Sequence, residues 1–380
     1  MADPVTMKDI ASALGVSTAT ISRALRGDPG ISPARTAAVL EAARRLQYRP
    51  SAAARTLRTK SSDLIGVVVQ TVGDSYVGEV VRGIQTRARD FGVRPLFFMS
   101  EGREDLEGEA LQASLSEHVR NFIAVSPIGA PHLFRRAAEE GLQVSVINWD
   151  VAVGERLFEK LQSEAPDGTL EARIARATPG TDRNPICHIK FDDVDAAMLA
   201  TNHLLELGHR QFIHLRGPNI RSSLLRLLGF RRALEAAGLW PQPVLAAGPF
   251  GSQNRGLVIS TLLGRARPPL AIVAYDDLAA VEVLRAADKA GLRVPDDVSV
   301  IGINDIPFCA YTNPPLTSVA QPKQQLGALA VEVLLNSDAH GARVRPLPGS
   351  LVVRESTGRP GLLGTRSRRD TDKVGGNKPP

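Results

Sequence analysis

Short apolar runs alternate with helical stripes along much of this chain. Parallel strands that are buried on both faces read as continuous apolar runs. Such runs occur at Leu64–Val69, Leu96–Met99, Phe122–Val125 and Val144–Ile147. The segments between them carry apolar residues three and four positions apart, which is typical of amphipathic helices. This βαβαβαβ order predicts an α/β layer fold with a parallel sheet.

The alternation stops over residues 151–185 and returns at His188–Phe191. From there, helical stripes and apolar runs alternate at Val194–Leu207, Phe212–Leu215, Ser222–Ala237, Val244–Ala247, Gln253–Leu263, Ile272–Tyr275, Leu278–Ala290 and Val298–Ile303. A last helix near Gln324–Leu335 and a strand at Ser350–Val353 follow. The pattern predicts a second α/β unit, so we expect two doubly wound lobes. Their boundaries are expected near 150–186 and again near 305–320.

The first 50 residues have a different pattern, of three short helices. Thr6 with Asp9, then Ser17, then Ser32-Pro33 are helix-start signals, and Gly15 can end the first helix. The residues expected to face inward are Met7, Ile10, Ala11, Leu14, Ile21, Ala24, Leu25, Val39, Leu40, Ala43 and Leu46. Two short helices joined by a tight turn form a helix-turn-helix candidate.

Charge separates this module from the rest of the chain. Residues 1–60 hold ten lysines and arginines against four acids, an excess of six that equals the net charge of the whole chain. The other 320 residues are therefore neutral overall. A basic module on a neutral body predicts a polyanionic partner for the module alone, although a solvated basic surface would have the same composition.

Several classes of protein lack their usual signals here. The two cysteines, Cys187 and Cys309, make no disulfide framework. Cys187-His188 has no second ligand pair at metal spacing, so we expect neither a metal nor another cofactor. Phosphate-binding glycine loops and a nucleophile elbow are missing from the sequence, so no catalytic residues are proposed and an enzyme is not expected. We also expect no membrane span and no secretory signal, hence a cytoplasmic protein.

Several motifs in order resemble the lactose-repressor and purine-repressor family of bacterial transcription regulators. TMKDIASALGVSTATISRAL is similar to the family's helix-turn-helix, and YRPSAAARTLRT resembles its hinge. VRGI, LGHR, GFRRAL, GLRVPDDVSVIG, NPPLTSVAQP and LVVREST resemble its core, so the resemblance runs from about Thr6 to Thr357. It implies a helix-turn-helix domain at 1–50, a hinge helix and linker at 51–62, and a two-lobed effector-binding and dimerisation domain at 63–358. The tail at 359–380 is expected to be disordered.

The resemblance also implies DNA-contacting residues. The second helix would enter the major groove, where Thr18 and Ala19 begin the recognition helix and Arg23 reaches base edges. Ser17 and Ser22 are interpreted as phosphate contacts or caps. In the hinge, Ala54 and Arg55 would lie along the minor groove and Leu57 would pry open a base step. The alternatives are a solvated helix face for Arg23 and a plain linker for the hinge.

A ligand is expected in the cleft between the lobes, at the carboxyl ends of the strands. Arg226 matches the family's effector-binding arginine. Asp276 stands where the family often has Asn, and Asn304 where it usually has Asp, an exchange that keeps the cleft polar. Asp74 and Tyr76 follow the first strand, while Asn148 and Asp150 follow the fourth. Each acid could instead be a helix cap or a surface charge.

These features together predict a transcription regulator, with a repressor expected. Its partners would be a near-palindromic DNA operator, a small sugar, polyol or nucleoside-like effector, and a second copy in a homodimer. A solute-binding protein would lack the basic module, and an α/β enzyme would need a catalytic constellation. For the charged insertion at 151–185 two interpretations stay open: a tolerated surface loop, or a flap beside the cleft. One helical piece is expected within it, with Leu157, Phe158 and Leu161 on one side.

Overall fold

A computed structural model of the chain describes residues 5–48, 62–129, 131–149, 155–163, 186–246, 253–265, 267–336 and 346–361. The chain divides into two compact units, Met1–Ser62 and Asp63–Pro380. The predicted tail beyond residue 361 and nearly all of the predicted hinge at 51–62 fall outside the described residues.

Within residues 5–48, the described part of the first unit, there are three helices: α1 (Met7–Leu14), α2 (Thr18–Ala24) and α3 (Pro33–Arg45). The Asp9 carboxylate accepts hydrogen bonds from the backbone N and the hydroxyl of Thr6, and Gly15 ends α1 at a φ of 63°. The Ser17 hydroxyl accepts from Thr20 N at 3.1 Å, which confirms it as the cap of α2. Ile10, Ile21 and Val39, one from each helix, are all 0% exposed and form the core.

The first lobe of the second unit is built on a five-stranded parallel sheet. Its strands are β1 (Leu64–Val69), β2 (Arg94–Met99), β3 (Asn121–Val125), β4 (Gln143–Ile147) and β5 (Ile186–Ile189), in the order β2-β1-β3-β4-β5. The helices of this lobe are α4 (Ser75–Asp90), α5 (Glu104–Ser116) and α6 (Pro131–Glu139). Helix α7 (Glu155–Ser163) follows β4 and confirms the helical piece expected in the insertion.

The second lobe has a six-stranded sheet. Its strands are β6 (Phe212–Arg216), β7 (Val244–Ala246), β8 (Leu270–Ala274), β9 (Val298–Asn304), β10 (Thr317–Ala320) and β11 (Ser350–Val352), in the order β11-β10-β9-β8-β6-β7. Only β11 runs antiparallel to its neighbour. Its helices are α8 (Asp193–Glu206), α9 (Arg221–Ala236), α10 (Gln253–Arg265) and α11 (Asp277–Lys289), with a 3-10 turn at Pro307–Tyr311. Helix α12 (Lys323–Leu335) follows β10 along the chain.

The strand expected at His188–Phe191 as the start of the second unit was assigned to the wrong sheet. It spans Ile186–Ile189 and pairs in parallel with β4, from Val144↔Ile186 to Ile147↔Ile189. It completes the first sheet because its Ile186 and Ile189 side chains are buried in the first lobe. After β5 the chain passes from the first sheet to α8 of the second lobe, over residues 190–192.

Helix α12 returns to the first lobe, so the two lobes are interleaved along the chain. It packs on α4 and on β3–β5, and Leu326 and Ala330 join the core formed by Val80 and Ile84. Helices α4 and α12 cross with their backbones in close contact at Gly83 and Gly327. A Cβ atom at either glycine would collide with a main-chain oxygen of the other helix. Because β11 again belongs to the second sheet, the chain passes between the lobes more than once, and the strand ends of both sheets meet at one cleft.

Candidate functional site

The exposed face of α2 carries the residues predicted to contact DNA. Ser17, Thr18, Ala19 and Arg23 are exposed and Ser22 is half-buried, while Ile21 and Ala24 point into the core. The helix is therefore held by its apolar side and leaves a polar side of small residues and one arginine open to a partner. Such a surface suits the width of a DNA major groove.

Arg23 has an intramolecular partner in the structure. Its Nε donates to Asp28 Oδ2 at 2.9 Å, and Asp28 Oδ1 accepts from Gly30 N at 2.8 Å. This hydrogen bond raises the pKa of Arg23 and lowers that of Asp28. The Asp28 carboxylate thus orients the arginine on the α2 surface. The other predicted DNA residues, Ala54, Arg55 and Leu57, lie outside the described residues.

A pocket of about 290 Å³ lies between the two lobes of the second unit, at the carboxyl ends of their strands. Six of the seven predicted effector residues line it: Asp74, Tyr76, Asn148, Arg226, Asp276 and Asn304. The seventh, Asp150, lies outside the described residues. The structure therefore brings together residues as distant in sequence as 74 and 304, with both lobes contributing walls.

Two of the acids that line the pocket also cap helices. For these two, the helix-cap interpretation and the position at the pocket are both correct. Asp74 Oδ1 accepts from Tyr76 N at 2.7 Å at the start of α4, and Asp276 Oδ1 accepts from Ala279 N at 2.7 Å at the start of α11. A capping carboxylate uses one oxygen on the helix. Both residues therefore combine a capping role with a position in the pocket lining.

Arg226 has a buried partner, Asp193, which was not among the residues predicted from the sequence. The side chain of Arg226 is 4% exposed and that of Asp193 is 6% exposed, and Arg226 Nε donates to Asp193 Oδ1 at 2.8 Å. Nη1 donates to the Tyr275 carbonyl at 2.5 Å, and the guanidinium lies 4.6 Å from the centre of the Tyr275 ring. Burial raises the pKa of Asp193, and Arg226 lowers it by a smaller amount. The arginine is thus held rigidly in the pocket wall.

An amide pair forms another part of the wall. Gln321 Nε2 donates to Asn304 Oδ1 at 2.6 Å, which leaves the buried Gln321 Oε1 as an acceptor without a hydrogen-bond partner among the described residues. Asn304 has a φ of 123°, which L-residues rarely adopt. Lys323 Nζ donates to the carbonyls of Asn304, at 2.5 Å, and Asp305, at 2.8 Å, and so stabilises this bend. Strained backbone of this kind is common at ligand-binding sites.

On the first-lobe side, Asn148 connects two structural elements. Its Nδ2 donates to Tyr76 Oη at 2.7 Å, and its Oδ1 accepts from Phe191 N at 2.8 Å. Asn148, at the end of β4, therefore holds both the Tyr76 ring beside the pocket and the segment that connects β5 to α8.

Several further lining residues were not predicted, yet most of them follow the same rule. They come directly after strand ends, or at the start of the next helix: Gln70 after β1, Ser126 after β3, Asp193 after β5, Ser222 in α9, Tyr275 after β8 and Gln321 after β10. Applying the strand-end rule to every strand would have found them. The predicted residues cover only some of these strand ends.

A larger hollow of about 810 Å³ lies beside β7 and α10, with walls that include Leu245, Leu257, Val258 and Leu262. Its lining is mainly aliphatic and contains none of the predicted site residues. Among the described residues, no group of three His, Cys, Asp or Glu side chains is placed to hold a metal ion. Within the same ranges, no helix has the length and apolar character needed to cross a bilayer.

Two family models match the chain. Residues 6–51 match bacterial regulatory proteins of the lacI family, and residues 201–357 match a periplasmic binding protein-like domain. These matches cover the helix-turn-helix candidate and much of the second lobe.

Relatives match over nearly the whole length. The chain is 27% identical to the HTH-type transcriptional repressor PurR of Photobacterium profundum, over 92% of this chain and 98% of that protein. It is 30% identical to the HTH-type transcriptional regulator GalS of Salmonella typhimurium, over 88% of this chain and 90% of that protein. A crystal structure of the Lac repressor dimer bound to operator and the anti-inducer ONPF superposes with a TM-score of 0.77 at 26% identity, covering 94% of this chain and 100% of that one.

Proposed function

The chain belongs to the lacI family of bacterial regulatory proteins and is a DNA-binding transcription regulator, and we propose that it represses transcription from a near-palindromic operator until a small hydroxyl-rich effector binds between its lobes. The observation that carries the proposal is the single pocket lined by six predicted residues from both lobes. A ligand that contacts both lobes stabilises one lobe arrangement over another, which is how binding at one site biases binding at a second.

The DNA-binding half of the proposal is supported by the surface of α2. Thr18, Ala19 and Arg23 are exposed on one side of a helix whose other side is packed. On binding DNA, the Arg23 guanidinium would give up its hydrogen bond to Asp28 and donate hydrogen bonds to a guanine edge. A symmetric homodimer, the assembly named for the Lac repressor structure, reads two half-sites in opposite orientation.

The effector is proposed to be uncharged and rich in hydrogen-bond donors. The described lining contains three carboxylates, Asp74, Asp193 and Asp276, and one guanidinium, Arg226, which is paired with Asp193. Gln321, whose Oε1 has no hydrogen-bond partner among the described residues, adds an acceptor to the lining. Sugar, polyol and nucleoside hydroxyls supply such donors, whereas a phosphate ester would bring negative charge next to carboxylates. A volume of about 290 Å³ suits a ligand of monosaccharide or nucleoside size.

In this proposal the protein binds DNA and effector and catalyses no reaction. Because its partner is DNA, it would act in the bacterial cytoplasm. The discriminating fragment lacks residues 1–60. It should keep effector binding, lose operator binding, and return the effector chemically unchanged after incubation.

The experiment that tests the proposal begins with selection of binding sites from randomised DNA by the full-length protein. Affinity for the selected site is then measured by fluorescence anisotropy at several salt concentrations. A panel of neutral sugars, polyols and nucleosides, each beside its phosphate ester, is screened by thermal shift. A ligand at 100 times its Kd stabilises the native state by about 2.7 kcal/mol, a shift of several degrees.

We expect an enriched palindrome, an affinity that falls steeply with salt, and neutral compounds that raise the melting temperature and alter operator affinity. Equal binding to random DNA would overturn the DNA half of the proposal. A phosphate ester that stabilises the protein more than its neutral parent would overturn the proposed effector class.

A further inference from the structure

Helix α7 lies in the second lobe although its chain position belongs to the first. It stands in the connection between β4 and β5, both strands of the first sheet. Phe158 and Leu161 are nevertheless 0% exposed within the second-lobe core, together with Leu224 and Leu227 of α9. Only residues 150–154 separate Trp149, which is buried in the first lobe, from the start of α7.

Two buried arginines of the second lobe take partners from α7. Arg216, which is 5% exposed, pairs with Glu155 and lies 4.3 Å from the centre of the Phe158 ring. Arg231, which is 2% exposed, donates to the carbonyl oxygen of Leu161. That carbonyl belongs to the last turn of α7, where no intrahelical donor is available. Helix α7 thus satisfies groups that the second lobe would otherwise leave buried with fewer partners.

One of these contacts leads directly to the pocket. Arg216 ends β6, and its Nη1 donates to Asn219 Oδ1 at 2.6 Å. Asn219 sits in the turn 217–220, whose Pro218 and Ile220 line the pocket. A chain of side-chain contacts therefore runs from Glu155 through Arg216 to Asn219, which lies between two residues of the pocket wall.

We propose that α7 is a structural part of the second lobe and that Glu155 is a positioning residue for the pocket turn 217–220, acting through Arg216. This inference rests on the proposed effector pocket. Helix α7 is connected along the chain to strands of the first lobe but packs in the second lobe. Effector binding at the turn 217–220 and the position of α7 are therefore coupled.

Hydrogen–deuterium exchange on the full-length protein without effector tests the inference. Glu155→Ala should speed exchange of the Gly217, Asn219 and Ile220 amides about threefold to tenfold, because Glu155 is half-exposed and its bond to a charged group is partly screened. Glu155→Gln keeps an acceptor oxygen and should restore most of the protection. Glu159→Ala, at an exposed position of the same helix, is the matched control and should change nothing at the turn.

A second variant keeps the test decisive if the Glu155 effect is small. Phe158→Ala with Leu161→Ala removes the side chains that pack α7 into the second-lobe core. Amides of α7 and of the turn should then both exchange faster, while those of β1–β4 should not. Unchanged exchange at 217–220 in both Glu155→Ala and this double variant would overturn the proposal. So would a rise spread evenly over both lobes, which would indicate a loss of global stability alone. Because no effector is present, these outcomes leave the proposed function standing.

Discussion

Removal of Arg226 should lower the free energy of unfolding even without a ligand, because the carboxylate of its partner Asp193 would stay buried. Arg226→Met keeps the aliphatic volume of the side chain and removes its charge. Breaking a buried ion pair by deleting one partner costs about 3–5 kcal/mol, since the other charge is left without compensation. Asp193 is 5% exposed, so solvent offers it little relief.

The double variant Arg226→Met with Asp193→Asn removes both charges and should regain part of this loss. We expect a coupling energy of about 2 kcal/mol in a double-mutant cycle. Urea unfolding followed by Trp240 fluorescence is the assay, in a Trp149→Phe background so that the signal comes from the second lobe. These are the two tryptophans of the chain.

The pH dependence gives the cycle a second readout. Burial already raises the pKa of Asp193, and removal of Arg226 raises it further. A carboxyl whose pKa is raised in the folded state takes up a proton in the native protein first, so stability increases as the pH falls. The deficit of Arg226→Met should therefore be smaller at pH 5 than at pH 8. Additive single-variant effects with a pH-independent deficit would refute the buried-pair reasoning.

Three further outcomes follow from other parts of the structure. Arg23→Ala should weaken operator binding by about 1–3 kcal/mol and relax preference at one base pair per half-site, measured by anisotropy at fixed salt; unchanged affinity would contradict the assignment. Burial lowers the pKa of His214 to about 4 from 6.5, so the unfolded chain binds a proton below pH 6.5 that the native imidazole refuses. His214→Asn should therefore reduce the loss of unfolding free energy between pH 7.5 and 5 by about 2 kcal/mol in urea titrations; an unchanged pH slope would count against it. Gly83→Val should destabilise the first lobe by about 1–3 kcal/mol or more in the same titrations, because its side chain meets the Gln324 carbonyl; a neutral effect would mean that α4 and α12 can separate.

Helix and strand positions were largely predictable, because burial leaves a period in the sequence. The continuous apolar runs became β1, β3, β4 and β8, and the helical segment expected between the first two runs became α4, whose buried side includes Val77 and Ala88. The prediction for Leu40 was wrong: its side chain was expected to face inward but is 44% exposed, whereas Ala42 is buried. In α3, small residues pack against the short helices α1 and α2, so the buried face is centred on alanines that a search for large apolar residues passes over.

Sheet membership was less predictable than strand position. β5 carries Cys187 and His188 between two isoleucines, a pattern that fits either lobe, and only pairing with β4 decides its sheet. β10 was missed because Thr317 and Ser318 leave only two apolar residues in four. Both hydroxyls have specific uses: Thr317 Oγ1 lies 3.0 Å from Thr357 Oγ1, and Ser318 Oγ donates to the buried Asp277 at 2.5 Å.

The candidate site was predictable where it follows strand ends and not where it depends on pairing. Asp192 and Asp193 look alike in sequence, as two acids at a helix start. In the structure Asp192 caps α8 by accepting from Asp195 N at 3.0 Å, and Asp193 turns inward to Arg226. A separation of 33 residues and two different helices hides that pair from any local pattern.

The insertion shows how a correct local prediction can leave the function of a segment open. Its charges favoured a surface loop, and its position after Asn148 suggested a flap at the cleft. The helical period around Phe158 was visible, but periodicity does not say against which lobe a helix is buried. Phe158 and Leu161 are 0% exposed in the second-lobe core, so residues 155–163 are packed on that lobe by one side of the helix. Deleting 155–183 would uncover that part of the core and take partners from Arg216 and Arg231, so it should destabilise the second lobe even where no effector is bound.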